Sequence, residues 1–146
     1  MKYISLALFI ICITSFIVGC KYEDGPWISL RSADKRVEGT YRIQKFYYNG
    51  ADSTLAIQSK PCYGLIEFTS DEEIRMNKGS LCSTQGDWVL TNGNYKLVVR
   101  FLGNFEGIPP WSTDNEATYD ILELRDDEMT IYTVFGNNTI KIELSE

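Results

Sequence analysis

From residue 38 onward the chain alternates apolar and polar residues with a period of two, in one short segment after another. Turn residues separate the segments. Eight strands are predicted: 38–48, 64–69, 72–77, 86–91, 95–102, 117–125, 128–135 and 138–145. The last is the clearest, since Ile140, Ile142 and Leu144 alternate with Thr139, Lys141 and Glu143. One of its faces is therefore buried and the other wet. The fifth places Tyr95, Leu97, Val99 and Phe101 on one face. In the sixth, Ile121 and Leu122 are adjacent apolar residues, which predicts a bulge that switches the inward face. No helix of useful length is evident, and there are no repeats.

The connections sort into two kinds. The second, fourth and sixth are tight: Ser70-Asp71, Asn92-Gly93-Asn94 and Asp126-Asp127. Asn-Gly is a strong hairpin signal because both residues tolerate positive φ. The first, third and fifth are long, at 49–63, 78–85 and 103–116, and only the seventh, Gly136-Asn137, is short. In an up-and-down order, odd and even connections lie at opposite ends. One end is then closed by hairpins and the other ringed by long loops. Closure into a barrel removes the exposed edges that invite aggregation. The expected fold is all-β, an eight-stranded up-and-down antiparallel barrel. Such a barrel is either filled by its own side chains or holds one small ligand.

The first 36 residues do not share this pattern. Lys2 precedes an apolar run from Ile4 to Val18, too short for a bilayer span and suited to a signal peptide. It ends in Ile17-Val18-Gly19-Cys20, which resembles a bacterial lipoprotein signal. The resemblance implies cleavage before Cys20 and acylation of its thiol. The chain then divides into a signal peptide at 1–19, a lipidated tether at 20–36 and a barrel at 37–146. Lys21-Tyr22-Glu23-Asp24 resembles the acidic export signal of Bacteroidota surface lipoproteins, which implies an outer-membrane, cell-surface location. The tether meets the first strand at its start. The lipid is therefore expected toward the closed end, with the mouth facing away from the membrane.

Charge and cysteine content narrow the function. The chain has 14 basic and 20 acidic residues; without Lys2 the balance becomes −7. That argues against nucleic acid, which needs clustered Lys and Arg. Histidine is absent, which removes the commonest general base and metal ligand. No metal-ligand spacing, nucleophile motif or phosphate-cradling glycine loop is present, so neither a cofactor nor catalysis is expected. Glu72-Glu73 and Asp126-Asp127-Glu128 are the densest carboxylate groups outside the tether, and both fall at tight turns, where solvated charge is normal. Cys12 leaves with the signal and Cys20 is acylated, which leaves Cys62 and Cys82. A disulfide between them would close a loop of about 21 residues and stabilise by roughly 3 kcal/mol. The alternative is a pair of buried free thiols.

Gly39-Thr40-Tyr41 opens the first strand where lipocalins place Gly-x-Trp. Gly86-Asp87-Trp88-Val89-Leu90 and Tyr119-Asp120-Ile121-Leu122-Glu123-Leu124, each running into a turn and a further strand, resemble lipocalin-like lipoproteins of Bacteroidota. The resemblance implies a calycin-type barrel with Gly39 and Tyr41 plugging the closed end. It also implies a cation over that ring. Lys141 is the one basic residue of the last strand, although the alternation points it outward. Phe68, Trp88 and Phe101 are expected inside, and Trp111 on a proline-stiffened mouth loop, as contacts for a small apolar or amphipathic ligand. The rival is a filled barrel serving as the interaction subunit of an envelope complex. Asp52-Ser53-Thr54 resembles the O-glycosylation motif of Bacteroidota, with Ser53 as acceptor.

Overall fold

The computed structural model describes residues 31–60, 63–77, 83–101 and 116–146. In chain order these form α1 (Ala33–Val37), β1 (Gly39–Tyr48), β2 (Ala51–Asp52), α2 (Thr54–Gln58), β3 (Leu65–Phe68), β4 (Glu73–Asn77), β5 (Ser83–Thr91), β6 (Lys96–Phe101), β7 (Glu116–Leu124), β8 (Glu128–Phe135) and β9 (Asn138–Ser145). Neighbouring strands pair antiparallel in sequence order, and β1 pairs with β9, so the sheet closes on itself. Eight strands make the wall. The two-residue β2 folds back on the end of β1, pairing Tyr47 with Asp52 and Tyr48 with Ala51.

The alternation read from the sequence becomes the inside and outside of this wall. Ile140, Ile142 and Leu144 are buried in β9, as are Leu97, Val99 and Phe101 in β6. Tyr95, expected on that inward face, instead precedes β6 in the hairpin and is 38% exposed. The hairpin needs left-handed backbone at Asn92, Gly93 and Asn94, and Tyr95 is spent on leaving it. β5 begins three residues before its expected start. Ser83, Thr84 and Gln85 carry no apolar alternation of their own, but they extend the ladder opposite Asn77, Met76 and Arg75.

The bulge expected in β7 is present: the pairing with β8 skips Leu122, between Ile121 and Glu123. Ile121 and Leu124 both face inward, so the inward parity switches there. A second bulge in β1 skips Gln44, between Ile43 and Lys45, and keeps Ile43 and Phe46 both inside.

Two short helices were not legible as such. Residues 33–36, expected within the tether, form α1 together with Val37. Ser32 caps it by accepting from the Lys35 N–H, and Ala33, Arg36 and Val37 are buried against the closed end of the barrel. α2 fills a gap in the wall. β1 pairs with β3 only through residues 39–41 and with β2 only through 47–48. Between them, Thr54 Oγ1 accepts the Phe46 N–H at 3.0 Å, and Gln58 Nε2 donates to the Ile43 carbonyl at 3.0 Å. Ile57 drives inward from α2 and is fully buried. The backbone groups that a missing strand would have satisfied are met by these two side chains and by the Ser53 N–H, which donates to the Phe46 carbonyl at 2.8 Å.

Candidate functional site

The floor of the lumen is built from three rings. Tyr41 meets Phe68 edge-on with centroids 5.9 Å apart, and Phe68 meets Trp88 edge-on at 5.9 Å. Strand register brings them together: Tyr41 lies two pairs along from the Gly39–Phe68 pairing of β1 and β3, on the same face, and the β4–β5 ladder carries Trp88 alongside. Trp88 Nε1 donates to the Thr69 carbonyl at 3.3 Å, so its one polar atom is met within the closed-end turn. Below the rings, Tyr41 Oη donates to the Arg36 carbonyl at 2.7 Å, and Arg36 Nη1 donates to the Leu124 carbonyl at 2.8 Å. Burial pushes the Tyr41 phenol well above its ordinary value, and the Glu146 carboxylate pushes it the same way. Gly39 passes directly beneath the Glu146 side chain. The closed end is therefore stoppered by α1, a buried arginine and a tyrosine.

Toward the other end the wall is lined by Phe101, opposite Gly86, and by Tyr119, opposite Leu97, both buried. Tyr119 is wholly enclosed; burial pushes its phenol far up, with Tyr63 adding to the effect. Near the rim, Tyr48, Ile140 and Thr133 form one inward row, and Thr133 Oγ1 donates to the Thr118 carbonyl at 2.8 Å. The strand ends at residues 77, 83, 101 and 116 face this end, as do the Asn49-Gly50 and Gly136-Asn137 turns.

A closed antiparallel barrel, one stoppered end and an aromatic interior are the marks of one architecture, and the sequence match agrees: the lipocalin-like domain family covers residues 37–142. The chain belongs to that family. Its fold recurs in a lipocalin-like protein from Bacteroides uniformis, at a TM-score of 0.55 and 10% identity, over 76% of this chain and 98% of that one. A protein from Bacteroides eggerthii is similar at a TM-score of 0.51 and 14% identity, over 75% of this chain and 98% of that one. No curated protein matches the sequence. The lipocalin-like barrel is a scaffold for ligand binding or protein interaction.

The remaining candidate residues of this lipocalin-like domain are placed as follows. Phe68 and Trp88 sit together in the floor rather than at the mouth, and Phe101, paired with Gly86, lies one step nearer the rim on the neighbouring strand. Lys141 points outward and lies over the Tyr47 ring, 5.5 Å from its centroid, so its cation–π partner is on the outer wall and not Tyr41. The buried cation of the closed end is Arg36, contributed ahead of the first strand. Its only sequence signal was the Ser32 cap before Ala33 to Val37. Ser53 is half-exposed, with its hydroxyl 3.4 Å from the Ala51 carbonyl. Its neighbours build the turn into α2. Asp52 accepts from the Thr54 N–H at 3.0 Å and from its hydroxyl at 2.5 Å, which holds the Asp52 carboxyl below its usual range. The turn carboxylates are exposed and ion-paired, Glu73 to Arg75 at 2.5 Å and Glu128 to Arg125 at 3.3 Å. Cys20, Cys62, Cys82 and Trp111 lie outside the described residues.

Proposed function

We propose that the protein is a non-enzymatic binding module, lipid-anchored through Cys20 on the outer-membrane surface, that holds a small apolar or amphipathic molecule at the mouth of its barrel. The difference between the two ends carries this reading. One is sealed by α1, Arg36 and Tyr41, and the other gathers the long connections. A ligand would rest above the ring floor, between Phe101 and Tyr119. A Cys62–Cys82 disulfide would tie two of the mouth connections together.

The second reading, a filled barrel acting as a subunit of an envelope complex, is favoured by a different fact. Phe68, Trp88 and Phe101 are each 3% exposed, buried by the protein's own side chains. Native mass spectrometry of the protein isolated from its own host separates the two. A retained small molecule supports the ligand reading, and a stoichiometric protein partner supports the interaction reading. A bare chain counts against both.

A further inference from the structure

Outward residues of β1, β9, β8 and β7 fall into register as rows. One row reads Tyr47, Lys141, Tyr132 and Asp120, and the next reads Lys45, Glu143, Thr130 and Glu123. Thr130 points away from the core yet is only 9% exposed. It lies at the floor of a trough. Two hollows of about 280 Å³ and 250 Å³ adjoin there and share Lys141. Gln44, Glu123, Thr130 and Glu143 line the first, and Tyr47 and Tyr132 line the second. Together they reach the size of ordinary ligand sites, roughly 300 Å³ and upward. They run along β9 from Thr139 to Ser145, about 20 Å at strand rise.

Both bulges of the barrel open onto this trough, since the extra residues Gln44 and Leu122 line it. Each bulge places two successive residues outward without disturbing the core. Bulges that re-aim side chains in this way are enriched beside functional sites.

The charges select the ligand class. Lys141 donates to Glu143 at 2.8 Å, Arg125 pairs with Glu123 at 2.6 Å, and Arg125 also pairs with Glu128. Two cations thus face three carboxylates, with Arg125 just outside the lining, so the trough carries one net negative charge and disfavours an anion. Each carboxylate nonetheless keeps lone pairs able to accept further hydrogen bonds. Beside them stand an amide, a hydroxyl and two flat rings. We propose that the trough binds a neutral oligosaccharide, with sugar hydroxyls donating to Glu143 and Glu123, the Gln44 amide alongside, and a pyranose C–H face lying on Tyr132.

The ¹⁵N-labelled full chain in phosphocholine micelles, a detergent without sugar, is titrated with cellohexaose, maltohexaose, laminarihexaose and mannohexaose, and with hexalysine. At least one hexaose should shift the amides of Tyr47, Thr130, Tyr132 and Lys141 saturably. Tyr132→Ala should weaken that binding about tenfold or more, a loss of about 1.4 kcal/mol, while Tyr95→Ala, an exposed tyrosine off the trough, should leave it unchanged. If Tyr132→Ala does not fold, Glu143→Gln, which keeps the shape, should weaken binding several-fold. The proposal fails if no hexaose shifts these amides, if hexalysine alone does, or if the shifts fall on lumen residues such as Tyr119. The last result would leave the lumen reading standing.

Discussion

Tyr41 is a fully buried ring whose hydroxyl ends on the Arg36 carbonyl. Removing only that hydroxyl, in Tyr41→Phe, should cost about 1 kcal/mol in denaturant unfolding, because the carbonyl it served is left in an apolar place. The same residue gives a pH dependence with a definite sign. Its folded pKa lies above the ordinary phenol value of about 10, so the native state favours the neutral ring. Its contribution is therefore complete below pH ~10 and is lost as the pH rises from there toward the folded pKa. Melting temperature should be level for this group up to about pH 10 and fall beyond it, and Tyr41→Phe should flatten part of the fall. Gly86 makes a steric argument. A Cβ there would overlap the Arg100 carbonyl oxygen of the paired strand. Gly86→Ala should force β5 and β6 apart and cost about 1–3 kcal/mol. The Gly39-x-Tyr41 pattern showed Tyr41 in the sequence, whereas the burial of Arg36 had no signal there beyond the Ser32 cap of its helix. The carbonyl that makes burying Arg36 tolerable belongs to Leu124, 88 residues away.

At the scale of the element, strands were readable because a period of two persists over five or more residues. The β7 bulge was readable because Ile121 and Leu122 break that period with two apolar residues. The β1 bulge was not: Gln44 and Lys45 are both polar, so the skipped pair looks like ordinary surface. The helices escaped for another reason. Five residues make less than two turns, and such segments are held by packing rather than propensity. The bulges also offer a test. Deleting Leu122 leaves Ile121, Glu123 and Leu124 alternating in, out and in, with their partners on β8 retained. The deletion should therefore fold, at a cost on the order of 1–2 kcal/mol, as read by circular dichroism and thermal melting. A variant that failed to fold would show that the bulge sets the closure of the barrel itself.

For the whole molecule, barrel closure was expected from eight strands in up-and-down order, and the lengths of the first six connections told the two ends apart. The ring floor was legible only as three inward aromatics. That Phe68 and Trp88 spend their edges on each other follows from register, which no strand reveals singly. The anchor is a prediction of its own: Cys20→Ala should move the protein from the detergent phase to the aqueous phase in cloud-point partitioning, and unchanged membrane association would refute it. The segment before β1 also meets the closed end. Arg31 pairs with Asp126 at 3.8 Å, and the Glu146 N–H donates to the Asp127 carbonyl at 3.0 Å. Both ends of the described barrel therefore converge on one hairpin. A circular permutant that joins Glu146 to Ala33 through a few glycines, and opens the chain between Gly136 and Asn137, should fold to the same strand content with a similar melting temperature. By the same geometry, a reporter fused after Glu146 would sit beside the hairpin that Arg31 also meets and leave the opposite rim unobstructed.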